Sequence, residues 1–270
     1  MVKDTGTIAI SVEYRLAPEN AFPTPLQDCV AVTKYFLNNA AEKFGVDSSR
    51  VVLAGESAGG NLAAAVSMKL SMDDFPLRPK LQVLLYPALQ AINLQTPSYQ
   101  ANKNGPWLTH EEMAFFYANY AQGQLENMGD YLTNKHVPKE EFEKLMDEFM
   151  PLDALPNDDI MANHDQNLAQ SAEEPPYWNE IRDIITDPLF SPLLASDEIL
   201  LGSPTTYVSA CQYDVLRDDA VWYARRLRAI GVLVELDVED CFHAWGLFTE
   251  DIQSADKIMR RMTDFINTNL

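Results

Sequence analysis

The sequence predicts an α/β fold with a mostly parallel sheet, and three observations carry that expectation. Short apolar β runs recur at residues 7–12, 51–54, 81–85, 205–210 and 232–238. Helical stretches at about 28–44, 61–70, 218–230 and 252–267 fall between or after them, as crossover connections require. A glycine-rich turn, Gly55-Glu-Ser-Ala-Gly-Gly60, joins one β run directly to an alanine-rich helix. The length of 270 residues suits one large domain.

Each element has a local reason. Thr7-Ile-Ala-Ile-Ser-Val12 reads as a buried strand, followed by a loop through Tyr14-Arg-Leu-Ala-Pro-Glu19 and the prolines at 23 and 25. The helix from about Asp28 to Phe44 is stopped by Gly45, which tolerates the left-handed conformation of a C-terminal cap. Val51-Val-Leu-Ala54 is a short β run, and Asn61-Leu-Ala-Ala-Ala-Val-Ser-Met-Lys-Leu70 is strong helix material. Leu81-Gln-Val-Leu-Leu85 is a further strand, closed by Tyr86-Pro87. Thr205–Ala210 and Val232–Val238 are strands, with helices from Asp218 to Ile230 and from Ile252 to Asn267.

Residues 98–190 differ in texture. Thr109-His-Glu-Glu112 forms a capping box, and Met113, Phe116, Tyr117 and Tyr120 follow at helical spacing. An acidic, proline-punctuated stretch from Glu140 to Asp159 and a polar one from Asn163 to Glu180 come next. The segment therefore reads as a part-helical cap or insertion, between a first core part at 1–97 and a second at 191–270. Its aromatic stripe suits a packed helix face, with a substrate-contacting face as the alternative.

Composition excludes several classes of function. No apolar run approaches the ~18 residues that a bilayer-spanning helix needs. Forty acidic against twenty basic residues leave a net charge of −20, a surface that repels nucleic-acid phosphates and anionic lipid. Neutral or cationic substrates fit better. Three cysteines, Cys29, Cys211 and Cys241, cannot all pair within the chain, and no CxxC spacing suggests zinc. Residues 1–6 show no basic region followed by a long apolar one.

The chemistry concentrates at Gly55-Glu56-Ser57-Ala58-Gly59, a G-x-S-x-G pattern that a chain of this length would show about 0.1 times by chance. Between a β run and a helix, this pattern makes a strained turn. The turn lifts a serine hydroxyl clear of the sheet, at a helix N-terminus that favours negative charge. Small neighbours are needed there because side chains would strike the adjoining strand and helix. A glycine-rich packing turn is the plain alternative.

A serine nucleophile needs a base oriented by a carboxylate. Of the four histidines, His110, His136 and His164 lie in the 98–190 segment, whereas His243 follows a strand, at the sheet edge where open α/β sheets place their sites. Asp214 follows the 205–210 strand. Asp218 and Asp219 are rivals, but they fall in a first helical turn and suit partners of the helix dipole. The order Ser57, Asp214, His243 matches the nucleophile, acid, base order of strand–turn–helix hydrolases.

Taken together, Tyr14-Arg-Leu-Ala-Pro-Glu19, Gly55-Glu-Ser-Ala-Gly-Gly-Asn-Leu-Ala64, Leu85-Tyr-Pro-Ala-Leu-Gln90, Thr96-Pro-Ser-Tyr99, Asp214-Val-Leu-Arg-Asp-Asp219 and Phe242-His243 resemble the hormone-sensitive-lipase-like α/β hydrolases. The arylacetamide deacetylase and neutral cholesterol ester hydrolase branch is the most similar, from about residue 7 onward. The resemblance implies an α/β-hydrolase fold and hydrolysis of carboxylic esters, with arylamides as further candidates, through an acyl-enzyme. By it Ser57 is the nucleophile, His243 the general base and then acid, Asp214 the orienting carboxylate, and the Ala58 N–H one oxyanion donor. No metal or organic cofactor is implied, and the partner is a small neutral or apolar acyl ester. Trp107, Phe115, Phe116 and Tyr117 are candidate cap-lining residues.

Members of that family carry a His-Gly-Gly-Gly oxyanion loop, with its own strand, before the Tyr-Arg-Leu-Ala-Pro-Glu segment; this sequence contains none. The resemblance therefore implies that the chain is the later part of a longer protein. The missing strand would leave a gap between the 7–12 and 51–54 strands. It also implies an N-terminal membrane anchor, a lumenal position at the endoplasmic reticulum, and a disulfide from Cys211 to a cysteine beside the glycine loop. No Asn-x-Ser/Thr sequon occurs here. Two other functions stand beside the esterase: a ligand-binding or catalytically impaired form of the same fold, and a peptidase or thioesterase using the same triad.

Overall fold

The computed structural model describes residues 2–121, 125–165, 174–248 and 251–270. Four strands, β1 (Val52–Glu56), β2 (Leu81–Leu85), β3 (Thr205–Tyr213) and β4 (Val234–Phe242), pair in the order β1-β2-β3-β4, every pair parallel. The helices that position the site are α1 (Thr24–Phe44), α2 (Ala58–Met72), α3 (Pro97–Asn102), α4 (His110–Tyr120), α5 (Lys139–Phe149), α6 (Trp178–Ile185), α7 (Arg217–Ala229) and α8 (Gln253–Asn269).

Side chains alternate across the sheet and split its packing between two faces. Leu81, Val83 and Tyr207 face Ile258, Met262, Phe265 and Ile266 of α8. Leu84, Val208 and Ala210 face the other way, toward Ala64 and Met68 of α2 and Val221 and Trp222 of α7. With both faces covered, the inner strands are buried almost throughout, including the polar side chains of Gln82, Thr206 and Ser209. The alanine run of α2 is buried nearly all round, because that helix lies between the sheet and Leu26, Cys29 and Leu37 of α1. Gly45 closes α1 at φ 63°, its N–H donating to carbonyls of the last turn. The fold is an α/β fold whose parallel sheet is covered on both faces, as the sequence predicts.

The segment 98–190 packs directly on this core. Thr109 and Glu112 make both reciprocal hydrogen bonds of the capping box. On the stripe of α4, Met113 and Tyr117 are buried and Tyr120 packs beside them, while Phe116 is half exposed, so the packed-face reading holds for all but one position. Tyr131, Leu145, Phe149, Trp178 and Ile181 join the same cluster as Leu89, Leu94 and Trp222. Residues 166–173, inside the polar stretch expected at 163–180, lie outside the described residues.

One expectation is overturned. Residues 7–12 form no strand; Ile8 and Ile10 are 71% and 47% exposed, and only Val12 and Tyr14 pack at the edge of the α1–α2 cluster. An apolar alternation becomes a strand only beside a ladder partner, and no described strand lies next to it. The 51–54 run lies in β1 at the edge of the sheet, and among the described residues no strand pairs with its outer side, so residues 7–12 and β1 are not joined by a ladder.

His136 gives the core a pH dependence. It is fully buried, stacked on Tyr131 at 4.1 Å, with Nε2 donating to the Ala91 carbonyl at 2.7 Å. Burial lowers its pKa from 6.5 to about 4. The folded protein thus binds this proton less readily than the unfolded chain. The contribution is complete above about pH 6.5 and is lost as pH falls toward 4. Some 2.5 pH units correspond to ~3 kcal/mol, an upper figure for one buried group. The difference in urea-unfolding stability between the parent and His136→Gln should follow this slope between pH 7 and 4, because the other titrating groups are common to both.

Candidate active site

β1 ends at Glu56 and α2 begins at Ala58, so the chain reverses on Ser57, held at φ 53° and ψ −119°. A non-glycine residue persists there only because its surroundings impose it. The Ser57 N–H donates to the Leu85 carbonyl at 2.9 Å, and the Ser57 carbonyl accepts from Asn61 at 3.1 Å. A Cβ on Gly55 would lie 2.0 Å from the Gly59 carbonyl oxygen, and one on Gly60 2.8 Å from the Pro87 Cβ. Gly59 has nothing within 4 Å of such a Cβ. The steric requirement expected for both glycines of the pattern therefore falls on Gly55 and, outside the pattern, on Gly60. Gly55→Ala should cost ~3 kcal/mol or more in thermal unfolding, because backbone and not a flexible side chain must yield. Gly59→Ala should be neutral or stabilising by up to ~1 kcal/mol.

The structure brings the three candidate residues together. Asp214 follows β3 and His243 follows β4, both at the C-terminal edge of the sheet, and both are buried, at 2% and 6% exposure. His243 Nδ1 donates to Asp214 Oδ2 at 2.7 Å, and His243 Nε2 lies 2.9 Å from Ser57 Oγ. A carboxylate only accepts, so the ring proton sits on Nδ1 and Nε2 is left to accept the Ser57 hydroxyl proton. Asp214 Oδ1 accepts the Leu216 N–H at 3.0 Å, which fixes the carboxylate plane. Ala58, the first residue of α2, has an N–H with no acceptor inside its own helix, at the positive end of the helix dipole.

The rival carboxylates have other work. Asp218 and Asp219 do lie in the first turn of α7, but both are fully buried. Asp218 accepts from Arg217 Nε at 3.0 Å and from the Ser98 N–H at 2.7 Å. Asp219 accepts from the Leu89 N–H at 3.0 Å and Gln90 Nε2 at 2.9 Å, and burial pushes its carboxyl up to about 7. They tie the chain after β2 to α7. His110 packs its ring on Tyr99, and burial lowers it to about 4; His164 is also lowered by burial.

Around this centre, the cap candidates separate. Tyr117 is core, and Phe115 and Phe116 pair with each other at the surface. Trp107, 59% exposed, leans on Phe248 at 5.1 Å, and Phe248 contacts Phe242, the neighbour of His243. A hollow of about 470 Å³ opens between residues 101–106 and the pair Tyr213 and Phe242. Cys29, Cys211 and Cys241 are buried free thiols, and Cys211 sits beside Cys241. Among the described residues no cluster of histidines, cysteines and acids suits a metal ion.

A Ser–His–Asp array on a strand–turn–helix elbow of a parallel sheet defines a class, the α/β hydrolases, and a family model described as alpha/beta hydrolase fold matches residues 1–174 and 165–247. The chain belongs to that family. It is 36% identical over 253 residues to neutral cholesterol ester hydrolase 1 of Rattus norvegicus, covering 92% of this chain and 62% of that protein. It is 39% identical over 271 residues to arylacetamide deacetylase of Oryctolagus cuniculus, covering 97% and 66%. The chain thus spans a little under two thirds of the length of these relatives. Among solved structures it is similar to a carboxyl esterase from Tuber melanosporum, at 22% identity and a TM-score of 0.72, covering 100% of this chain and 69% of that one. It is also similar to a thermostable esterase from Pseudomonas putida, at 25% identity and 0.69, covering 100% and 66%.

Proposed function

We propose that this chain carries the catalytic triad of a serine carboxylic-ester hydrolase that works through an acyl-enzyme. The pair of hydrogen bonds linking Ser57, His243 and Asp214 carries the reading. In the proposed cycle His243 Nε2 takes the Ser57 proton as Oγ attacks the ester carbonyl, and Asp214 stabilises the imidazolium that forms. The tetrahedral oxyanion develops beside the Ala58 N–H. His243 then delivers the proton to the departing alcohol. Water, deprotonated by the same nitrogen, releases the acid and restores Ser57.

Neutral or apolar acyl esters are the proposed substrates. The names of the two relatives support this, as do the aromatic side chains Trp107, Phe242 and Phe248 beside His243. The sequence resemblance also supports arylamides as further proposed substrates, and we propose a position at the endoplasmic-reticulum membrane, facing the lumen; protease protection in sealed microsomes tests the location. The activity is tested with p-nitrophenyl esters of graded acyl length, alongside matched amides and thioesters. The reading expects ester turnover that Ser57→Ala abolishes. Turnover that survives in Ser57→Ala would refute it.

A further inference from the structure

Between the elbow that bears Ser57 and the turn that bears His243 stands one side chain that touches both. Tyr86, the last residue before Pro87, is 1% exposed and is held at φ 37°, outside the range that non-glycine residues prefer. Its N–H donates to the Ser209 carbonyl of β3 at 2.8 Å. Its hydroxyl donates to Oε2 of Glu56, the residue before Ser57, at 2.5 Å. Its ring meets the His243 imidazole edge-on at 4.8 Å and the Trp245 indole at 5.9 Å. On the far side, the Gly246 N–H faces the same hydroxyl, and a Cβ at Gly246 would lie 3.4 Å from both the Tyr86 oxygen and Glu56 Oε2.

The imidazole makes two hydrogen bonds, Nδ1 to Asp214 and Nε2 to Ser57, and because both nitrogens lie in the ring plane they resist tilting of the ring out of that plane only weakly. The turn after it is itself strained, with Ala244 at φ 60°. The ring edge of Tyr86 fills the space into which His243 would tilt. The hydroxyl bond to Glu56 and the Gly246 contact lock that ring to the elbow on one side and to the histidine turn on the other. We infer that Glu56 and Tyr86 form a bracket that positions the His243 imidazole against Ser57 Oγ. Both are positioning residues, since neither touches the reacting atoms. The consequence for turnover rests on the ester-hydrolase reading; the consequence for the imidazole does not.

A bracket makes a statement that mere packing does not: its two members act as a unit. Glu56→Ala and Tyr86→Phe should each lower kcat by about 10- to 100-fold, the scale of a small misplacement of a catalytic group, with KM within about twofold, whereas Glu56→Gln, whose amide oxygen can still accept from Tyr86, should stay close to the parent. The double variant of Glu56→Ala and Tyr86→Phe should be no slower than the slower single one, because removing either member already opens the bracket. The second readout is the hydrogen-bonded Nδ1 proton of His243 in the far-downfield proton spectrum, expected to be sharp in the parent and broadened or lost in Glu56→Ala and Tyr86→Phe. Glu56 is exposed, so Glu56→Ala decides the matter should Tyr86→Phe fail to fold. An unchanged resonance in folded Glu56→Ala, its absence from the parent, kcat losses that multiply in the double variant, or a loss confined to KM would each overturn the bracket. A parent that turns over no ester but whose resonance responds to Glu56→Ala would sink the hydrolase reading and leave the bracket standing.

Discussion

His243→Gln is expected to lower kcat for esters by about 10⁵ or more while leaving KM nearly unchanged. Glutamine fills similar space but has no nitrogen that accepts a proton near neutral pH, and among the described residues no other basic side chain is hydrogen-bonded to Ser57 Oγ. The nearest other carboxylate on the elbow, Glu56, is engaged with Tyr86. His110, His136 and His164 make their contacts elsewhere, with the Tyr99 ring, the Ala91 carbonyl and the Gln95 backbone. At 1.36 kcal/mol per factor of ten, the loss corresponds to ~7 kcal/mol of transition-state stabilisation. Steady-state turnover of a p-nitrophenyl ester by folded variant and parent checks it.

Asp214→Asn is expected to lower kcat by about 10⁴ with little change in stability, and the surroundings of the carboxylate say why. In the parent, Oδ1 accepts from the Leu216 N–H and Oδ2 from His243 Nδ1. An asparagine has one oxygen and one NH2 to offer to these two donors. A backbone N–H cannot become an acceptor, whereas an imidazole can change tautomer. The amide oxygen therefore turns to Leu216 and the NH2 to His243, whose Nδ1 must accept. Its proton then sits on Nε2, aimed at Ser57 Oγ, and the base is occupied. The variant should retain the parent's melting temperature within a few degrees. A loss below about tenfold would mean that the tautomer is set by something other than Asp214.

The parts of this arrangement that were legible in the sequence are those with local signatures. Ser57 stands in a turn whose glycines and flanking elements adjoin it, and Thr109 and Glu112 carry their capping pattern within four residues. Asp214 and His243 were legible by a different route, as acid and histidine just past two β runs, in the order that the elbow reading demands. What stayed hidden depends on partners distant in sequence. Residues 7–12 have the alternation of a strand, but pairing is decided by what lies alongside. The 232–238 run continues to Phe242 because Asp237 and Glu239 find Arg261 and Lys257 of α8, ion pairs that make a charged stretch acceptable at a sheet edge. Asp218 and Asp219 resemble solvent-facing acids of a helix start, and only folding places the Ser98, Leu89 and Gln90 donors on them. Gly60 and Gly59 look alike in sequence and differ only because Pro87 lies against one. Tyr86 was visible only as the residue before a proline; its link to Glu56 spans thirty positions.

A fluorophosphonate probe reads the nucleophilicity of Ser57 directly, without a choice of substrate. Applied to the folded protein and followed by peptide mapping, it should place one adduct on Ser57, with none on Ser57→Ala and much slower labelling of His243→Gln. Folded protein that stays unmodified at Ser57, or that takes the adduct on another residue, would contradict the assignment of this hydroxyl as an activated nucleophile.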